Sequence, residues 1–290
     1  MARLLEGRVI ADKIKDTLRR RISSLKVKPL LASIIIGESL SSQSYVNAQA
    51  KLARELGIGY QPYNLPLSTT QNGLLDFIGE LNLDNSINGI ILQSPLPEHV
   101  NYKKAVASID LAKDVEGMHP GNLGKIMLGE EGILPCTPAA VMELIAESNI
   151  DLYGKEIVIV GHSRIIGRPL ALLLLQKMAT VTVCHIATSE SGRLKEHISR
   201  AEVLVSSAGI PNLIKGDWVK EGSVVIDVGI NWIKDKIVGD VEFDSAEKRA
   251  AFITPVPGGV GPLTVTMLMR NLVEVVIIQE RYREESGGYK

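Results

Sequence analysis

The residues with the clearest chemical potential are Gly161, His162, Ser163, Arg164 and Gly167, within Glu156-Ile-Val-Ile-Val-Gly-His-Ser-Arg-Ile-Ile-Gly-Arg-Pro169. Four β-branched residues lead into Gly161, and Pro169 stands where a first helical turn tolerates proline. Such a strand, turn and helix present free helix N–H groups and the positive end of a helix dipole to a pyrophosphate. The first glycine lets the backbone reverse and the last lets the helix approach the strand. The pattern departs from G-x-G-x-x-G, because Ser163 replaces the middle glycine and Gly167 comes one residue late. On these residues alone an ordinary βα turn without a ligand stays open.

Two further loops have the composition of functional segments. Asp114-Val-Glu-Gly-Met-His-Pro-Gly-Asn-Leu-Gly124 is a long stretch punctuated by glycine and proline, and Thr254-Pro-Val-Pro-Gly-Gly-Val-Gly-Pro262 is another. Asp227-Val-Gly-Ile230 ends a strand at the face where cofactors bind, which makes Ile230 a candidate cofactor-binding residue. Cys136 and Cys184 belong to no C-x-x-C pair, and the five histidines show no ligand spacing, so no metal site is expected. A buried structural thiol is the reading of Cys136, and hydrogen bonding rather than catalysis that of His119 and His185.

The elements that must position these loops alternate along the chain. A helical period over 7–26 precedes a strand at Leu30–Ile36, and a serine-rich turn, 39–42, offers caps for a helix to about Leu56. Strands follow at 60–65, 88–93, 156–160, 180–185, 203–206, 224–228 and 252–253. Helices are expected at 71–82, 101–110, 136–148, 167 onward, 192–200 and 263–279, with a hairpin at 233–241 and a frayed end from 281. The fold class is α/β: two α/β domains flanking a cleft, the C-terminal one a Rossmann-like, mainly parallel sheet. The expected division is 1–146 with 270–290, and 147–269.

Thirty-two basic and 33 acidic residues give a net charge of −1 and no footprint for nucleic acid. No apolar run approaches the ~18 residues of a membrane span, and the N-terminus lacks a secretory core, so a cytoplasmic protein without a membrane partner is expected.

Five separated motifs now stand in order: Ser42-Gln-Ser-Tyr45, Gly89-Ile-Ile-Leu-Gln93 before a Pro-x-Pro loop, Lys113-Asp-Val-Glu-Gly117, Val160–Pro169 and Ile253–Thr264. With them the chain closely resembles the bifunctional methylenetetrahydrofolate dehydrogenase/methenyltetrahydrofolate cyclohydrolase family over nearly its whole length. The resemblance implies oxidation of 5,10-methylenetetrahydrofolate with NAD or NADP, followed by hydrolysis of the methenyl product to 10-formyltetrahydrofolate. It implies a folate substrate and a homodimer. It places Tyr45 and Gln93 in the catalytic group, and Ser42, Leu92, Ser94, Glu116, Pro257, Gly258, Gly259, Val260, Gly261, Pro262 and Thr264 around the folate.

Three positions depart from the family pattern. The family's proton-transferring lysine, four residues after the tyrosine, is Gln49 here; Lys51 lies about 240° round the helix from Tyr45 and is no substitute. An amide has no proton to exchange near pH 7, so weak or absent cyclohydrolase activity is expected. Glu116 replaces the aspartate that grips the pterin donors, and Ser94 replaces a more usual leucine. The alternatives are an ordinary bifunctional enzyme and a catalytically silent folate- or nucleotide-binding subunit. For the nucleotide, Ile186 stands where members using NADP commonly place a polar residue, and His162 where some have arginine. NAD is favoured slightly over NADP.

Overall fold

The computed structural model describes residues 1–37, 40–234 and 236–287. Its strands are β1 (Arg3–Leu4), β2 (Leu30–Ile36), β3 (Gly59–Leu65), β4 (Gly89–Leu92), β5 (Glu156–Val160), β6 (Thr180–Cys184), β7 (Val203–Ser206), β8 (Val224–Asp227), β9 (Asn231–Ile233), β10 (Lys236–Val238) and β11 (Phe252–Ile253). They divide between two compact units, one of Met1–Lys13 with Thr137–Thr264, the other of Ile14–Cys136 with Val265–Lys290. The junctions between these units fall at 13/14, 136/137 and 264/265. The first residues join the later unit because β1 pairs in parallel with β11, Arg3 opposite Phe252.

The first unit holds an all-parallel sheet in the order β1-β11-β8-β7-β5-β6, with β9 and β10 as a separate antiparallel pair. β7 and β8 are buried throughout and β5 at all but its first residue, as near-continuous apolar runs are in a sheet covered on both faces. The chain leaves β5 for β6 on one side and returns to β7 on the other. That reversal is the switch point where parallel sheets bind ligands beyond their strand ends.

The second unit carries a three-stranded parallel sheet, β3-β2-β4. Its core joins Ile34 and Ile36 of β2, Ile90 and Leu92 of β4, and Leu74, Ile78 and Leu81 of the helix Gln71–Leu83. That helix begins as expected, with the Thr70 hydroxyl accepting from the Gly73 N–H at 3.1 Å.

Some expectations change. The glycine-rich stretch read as loop to Gly124 becomes helical over Pro120–Leu128, because His119 Nδ1 accepts from the Gly121 N–H at 3.0 Å and Pro120 fits the first turn. The helix expected at 192–200 is shorter, Leu194–Ile198, and a separate short helix that was not expected, Ile186–Glu190, precedes it. The last helix runs over Val260–Gly287, so 281–287 are helical rather than frayed. Among the described residues, Val260–Glu285 is the one helix long and apolar enough to cross a bilayer. However, 61% of its most apolar window is buried inside the protein, as in a core helix.

Candidate active site and nucleotide pocket

In the three-stranded unit a polar network runs through an otherwise apolar interior. Gln49, on the helix Leu40–Leu56, is wholly buried. Its Oε1 accepts from Gln93 Nε2 at 2.8 Å and from the Tyr60 hydroxyl at 3.2 Å, while its Nε2 donates to Gln93 Oε1 at 3.5 Å. Gln93 Nε2 also donates to Ser33 Oγ at 3.0 Å. One member comes from each of β2 and β3, one from the end of β4 and one from the helix, so the sheet register itself assembles the group. Buried amides survive in apolar surroundings only when partnered in this way. One turn before Gln49, the Tyr45 hydroxyl bonds the Gln49 amide, and burial pushes its pKa well above the ordinary tyrosine value. Burial also raises Tyr60, against an opposing hydrogen bond with Ser33.

Glu116 lies on the loop beyond β4. Burial first, and the charge of Asp114 second, push its carboxyl up to about 8, while a hydrogen bond from the Leu92 N–H pulls the other way. Asp114 is the loop's anchor: its Oδ2 accepts from the His119 N–H and Asn122 Nδ2, both at 2.8 Å, and its Oδ1 from the Glu116 N–H at 3.2 Å. Gly117 has φ +67°, and a Cβ there would stand 2.4 Å from the Leu134 carbonyl carbon, so only glycine lets the loop pass. Asn271 Nδ2 donates to the carbonyls of Val115 at 2.9 Å and Leu134 at 2.8 Å, fixing both sides. Burial drives the Cys136 thiol well above its usual pKa, the state of an inert structural cysteine.

The other sequence candidates fall unevenly. Ser94 is exposed beside buried Gln93, and the Leu92 side chain belongs to the core while its backbone N–H bonds the Glu116 carboxyl. The side chain of Ser42 lies outside the described residues. Lys51 is exposed, and Lys113 donates to the carbonyls of Leu81 at 2.9 Å and Asp84 at 2.7 Å. Lys113 is thus a structural clamp whose pKa burial lowers.

The 254–264 loop belongs to the six-stranded unit. Buried Thr254 accepts from the Asp227 N–H at 2.8 Å, and the Gly259 N–H bonds the Pro255 carbonyl at 2.9 Å. Gly258 has φ +115°, Pro257 and Gly261 are exposed, and Val260 is buried. Partly buried Thr264 donates to the Val260 carbonyl at 3.3 Å, one turn into the helix that Pro262 helps to open.

At the switch point of the same unit lies a cavity of about 290 Å³. Gly161, His162, Ser163, His185, Ile186, Ser207 and Ala208 are among the residues lining it. Gly161 has φ +127°, and a Cβ on Gly167 would approach the Gly161 carbonyl oxygen to 2.0 Å, so both glycines are obligatory. The helix Gly167–Leu175 has no side-chain cap, and in its first turn the Arg168 N–H bonds the Ser163 carbonyl at 3.1 Å and Pro169 carries no N–H, so the glycine cradle and the positive end of the helix dipole are what fit a dinucleotide pyrophosphate. Ser163 Oγ instead accepts from the Ile166 N–H at 3.1 Å, and the His162 and His185 rings stand 5.2 Å apart. Arg164 and Ile230 are exposed and do not line the cavity. Gly167→Ala is expected to raise the nucleotide KM at least ~30-fold with an unchanged folate KM, as steady-state kinetics would show.

Residues 5–116 match the model of the tetrahydrofolate dehydrogenase/cyclohydrolase catalytic domain, and 135–280 that family's NAD(P)-binding domain. The chain belongs to the tetrahydrofolate dehydrogenase/cyclohydrolase family. The bifunctional protein FolD of Acetivibrio thermocellus is 47% identical over 97% of this chain and 99% of its own. The crystal structure of the bifunctional FolD enzyme of Campylobacter jejuni has a TM-score of 0.93 at 45% identity, covering 96% of this chain and all of that one. FolD of Trypanosoma brucei, solved with NADP and an inhibitor, gives 0.92 at 37%, covering 97% and 99%. As a family member the chain is an NAD(P)-dependent oxidoreductase acting on 5,10-methylenetetrahydrofolate.

Sequence reasoning missed Ser33, Tyr60 and the Ser207–Ile210 wall. Tyr60 could have been found from the helix stripe: a polar Gln49 facing the sheet demands a donor on the strand beneath it. Ser207 and Ala208 follow a buried strand at its C-terminal end, the position from which parallel sheets bind.

Proposed function

We propose that this family member is chiefly a dehydrogenase, with hydrolysis of its methenyl product weak or absent. The observation that carries the reading is Gln49, buried, amide-paired with Gln93 and held by Tyr60. Water attacking the methenyl carbon must lose a proton, and a group exchanging it near neutral pH is worth ~10²–10⁴ in rate. An amide offers none, and burial holds Tyr45 and Tyr60 as neutral phenols. Glu116 supports a second reading, the ordinary bifunctional enzyme, because its raised pKa makes it the titratable group beside Tyr45.

In the leading reading the chain's contribution to oxidation is positioning. Tyr45 flanks the pterin, Glu116 accepts from its ring donors, and the neutral Gln49 amide puts no cation near the carbon that becomes positive. NAD(P), when bound, supplies the electron acceptor. NAD is proposed slightly ahead of NADP, because Ile186 and the rest of the cavity lining present no fixed cation to a 2′-phosphate. A cytoplasmic homodimer is proposed, supported by the exposed apolar residues Ile230, Trp232 and Ile233 on the six-stranded unit.

The test follows reduced nicotinamide and the methenyl chromophore together in one cuvette, with either nucleotide. Methenyl accumulating in step with reduced nicotinamide is the expected result. Reduced nicotinamide appearing while methenyl stays low would overturn the reading, and the faster nucleotide gives the preference directly.

A further inference from the structure

We infer that Asp240, which does not itself line the cavity beyond β5, is the positioning residue that sets the shape of the nucleotide pocket. Its side chain is wholly buried and accepts five hydrogen bonds. Oδ2 takes the Ser206 hydroxyl at 3.0 Å, the Ala208 N–H at 2.6 Å and the Gly209 N–H at 3.2 Å. Oδ1 takes the Ile210 N–H at 3.0 Å and Asn231 Nδ2 at 2.9 Å. Three consecutive backbone N–H groups, 208 to 210, thus wrap one carboxylate in the manner of an anion-binding nest.

The wrapped segment follows β7 at the binding end of the sheet, and Ser207, Ala208 and Ile210 line the cavity. Asn231 opens β9, four residues after Asp227 ends β8. Asp240 therefore ties the loop after β7 to the loop after β8, the two segments that flank the switch point on that side. A loop free of the sheet ladder would otherwise sample many conformations, and the carboxylate selects one.

A second layer holds Asp240 itself. Asp227 Oδ1 accepts from the Asp240 N–H at 3.1 Å and from the Gly229 N–H at 2.9 Å, while its Oδ2 accepts from the Val241 N–H at 2.8 Å. The chain makes room for both carboxylates with glycine. A Cβ on Gly229 would lie 2.2 Å from Asp240 Oδ1, and one on Gly239 would lie 1.9 Å from Asp227 Oδ2. The arrangement therefore runs from the end of β8, through the Asp240 backbone, to the cavity wall.

Asparagine at 240 is close to isosteric but cannot reproduce the pattern. Whichever way its amide turns, its NH2 group confronts backbone N–H donors that now point at an oxygen, those of Ala208 and Gly209 in one orientation and that of Ile210 in the other. The inference rests on the cavity beyond β5 being the NAD(P) site. Asp240→Asn, made in the full chain, is expected to raise the nucleotide KM at least ~10-fold. The folate KM should stay within ~2-fold, and kcat at saturating nucleotide within ~3-fold.

A nucleotide KM within ~2-fold of the parent overturns the proposal, as does an equal fall in kcat with unchanged KM, the pattern of lost stability alone. Should the variant not fold, Asn231→Ala removes only the tether between the loops. A rise of ~3-fold or more in its nucleotide KM upholds the proposal, and no rise overturns it. Gly167→Ala separates the two failures. If it weakens nucleotide binding while the other variants do not, the site stands and Asp240 is not its organiser; if none does, the site itself is misassigned.

Discussion

Gln49→Lys is expected to raise methenyltetrahydrofolate hydrolysis by about 100-fold, the scale of a positioned proton-transfer group. The present network can receive the change. Ser33, Tyr45 and Tyr60 carry hydroxyls that donate or accept as required, and a flip of the Gln93 amide would turn Oε1 toward the new ammonium. Position 49 is wholly buried, so desolvation would lower the lysine pKa toward neutrality, where a proton carrier works best. The same charge opposes cation formation during oxidation, by roughly 4 kcal/mol at about 4 Å and an effective dielectric near 20. The dehydrogenase rate should therefore fall while hydrolysis rises. Decay of the methenyl absorbance without nucleotide measures the first effect, and single-turnover oxidation the second. Unchanged hydrolysis in a folded variant would show that position 49 does not hold the proton carrier.

What could be read from the residues divides by how local its cause is. The strands 156–160, 203–206 and 224–227 announce themselves as apolar β-branched runs, and Gly161 and Gly167 do so through a spacing set by close backbone approach. The substitutions at Gln49 and Glu116 were visible because neighbouring motifs fixed the register. The misses have long-range causes. Two-residue β1 exists only because β11, some 250 residues later, offers it an edge. Pro120–Leu128 is rich in glycine, yet the His119 cap and the burial of Asn122 and Ile126 override local propensity. Asp240 gave no sign at all, since its five donors lie 9 to 34 residues away.

Glu116→Gln is expected to weaken folate binding by about 100-fold while leaving the nucleotide KM unchanged, and the parent's pH dependence shows why. A pterin presents N–H donors, which a carboxylate accepts and a protonated carboxyl meets only in part. In the free protein Glu116 is held neutral up to about pH 8, so binding the pterin below that pH must expel a proton. The folate KM should therefore fall as pH rises from 6 to 8 and level off above, with proton release on binding visible by calorimetry in buffers of different ionisation enthalpy. Stability runs the opposite way. The raised pKa favours the folded state with full effect below the ordinary glutamate value near 4.5, and this contribution is lost as pH climbs through 8. Glu116→Gln, neutral at every pH, should then melt higher than the parent at pH 9 and close to it at pH 5. Folate affinity and stability are thus opposed at one carboxyl, which the longer side chain keeps partly buried beside Asp114. A pH-independent folate KM, or a glutamine variant binding folate as the parent does, would remove Glu116 from the pterin site.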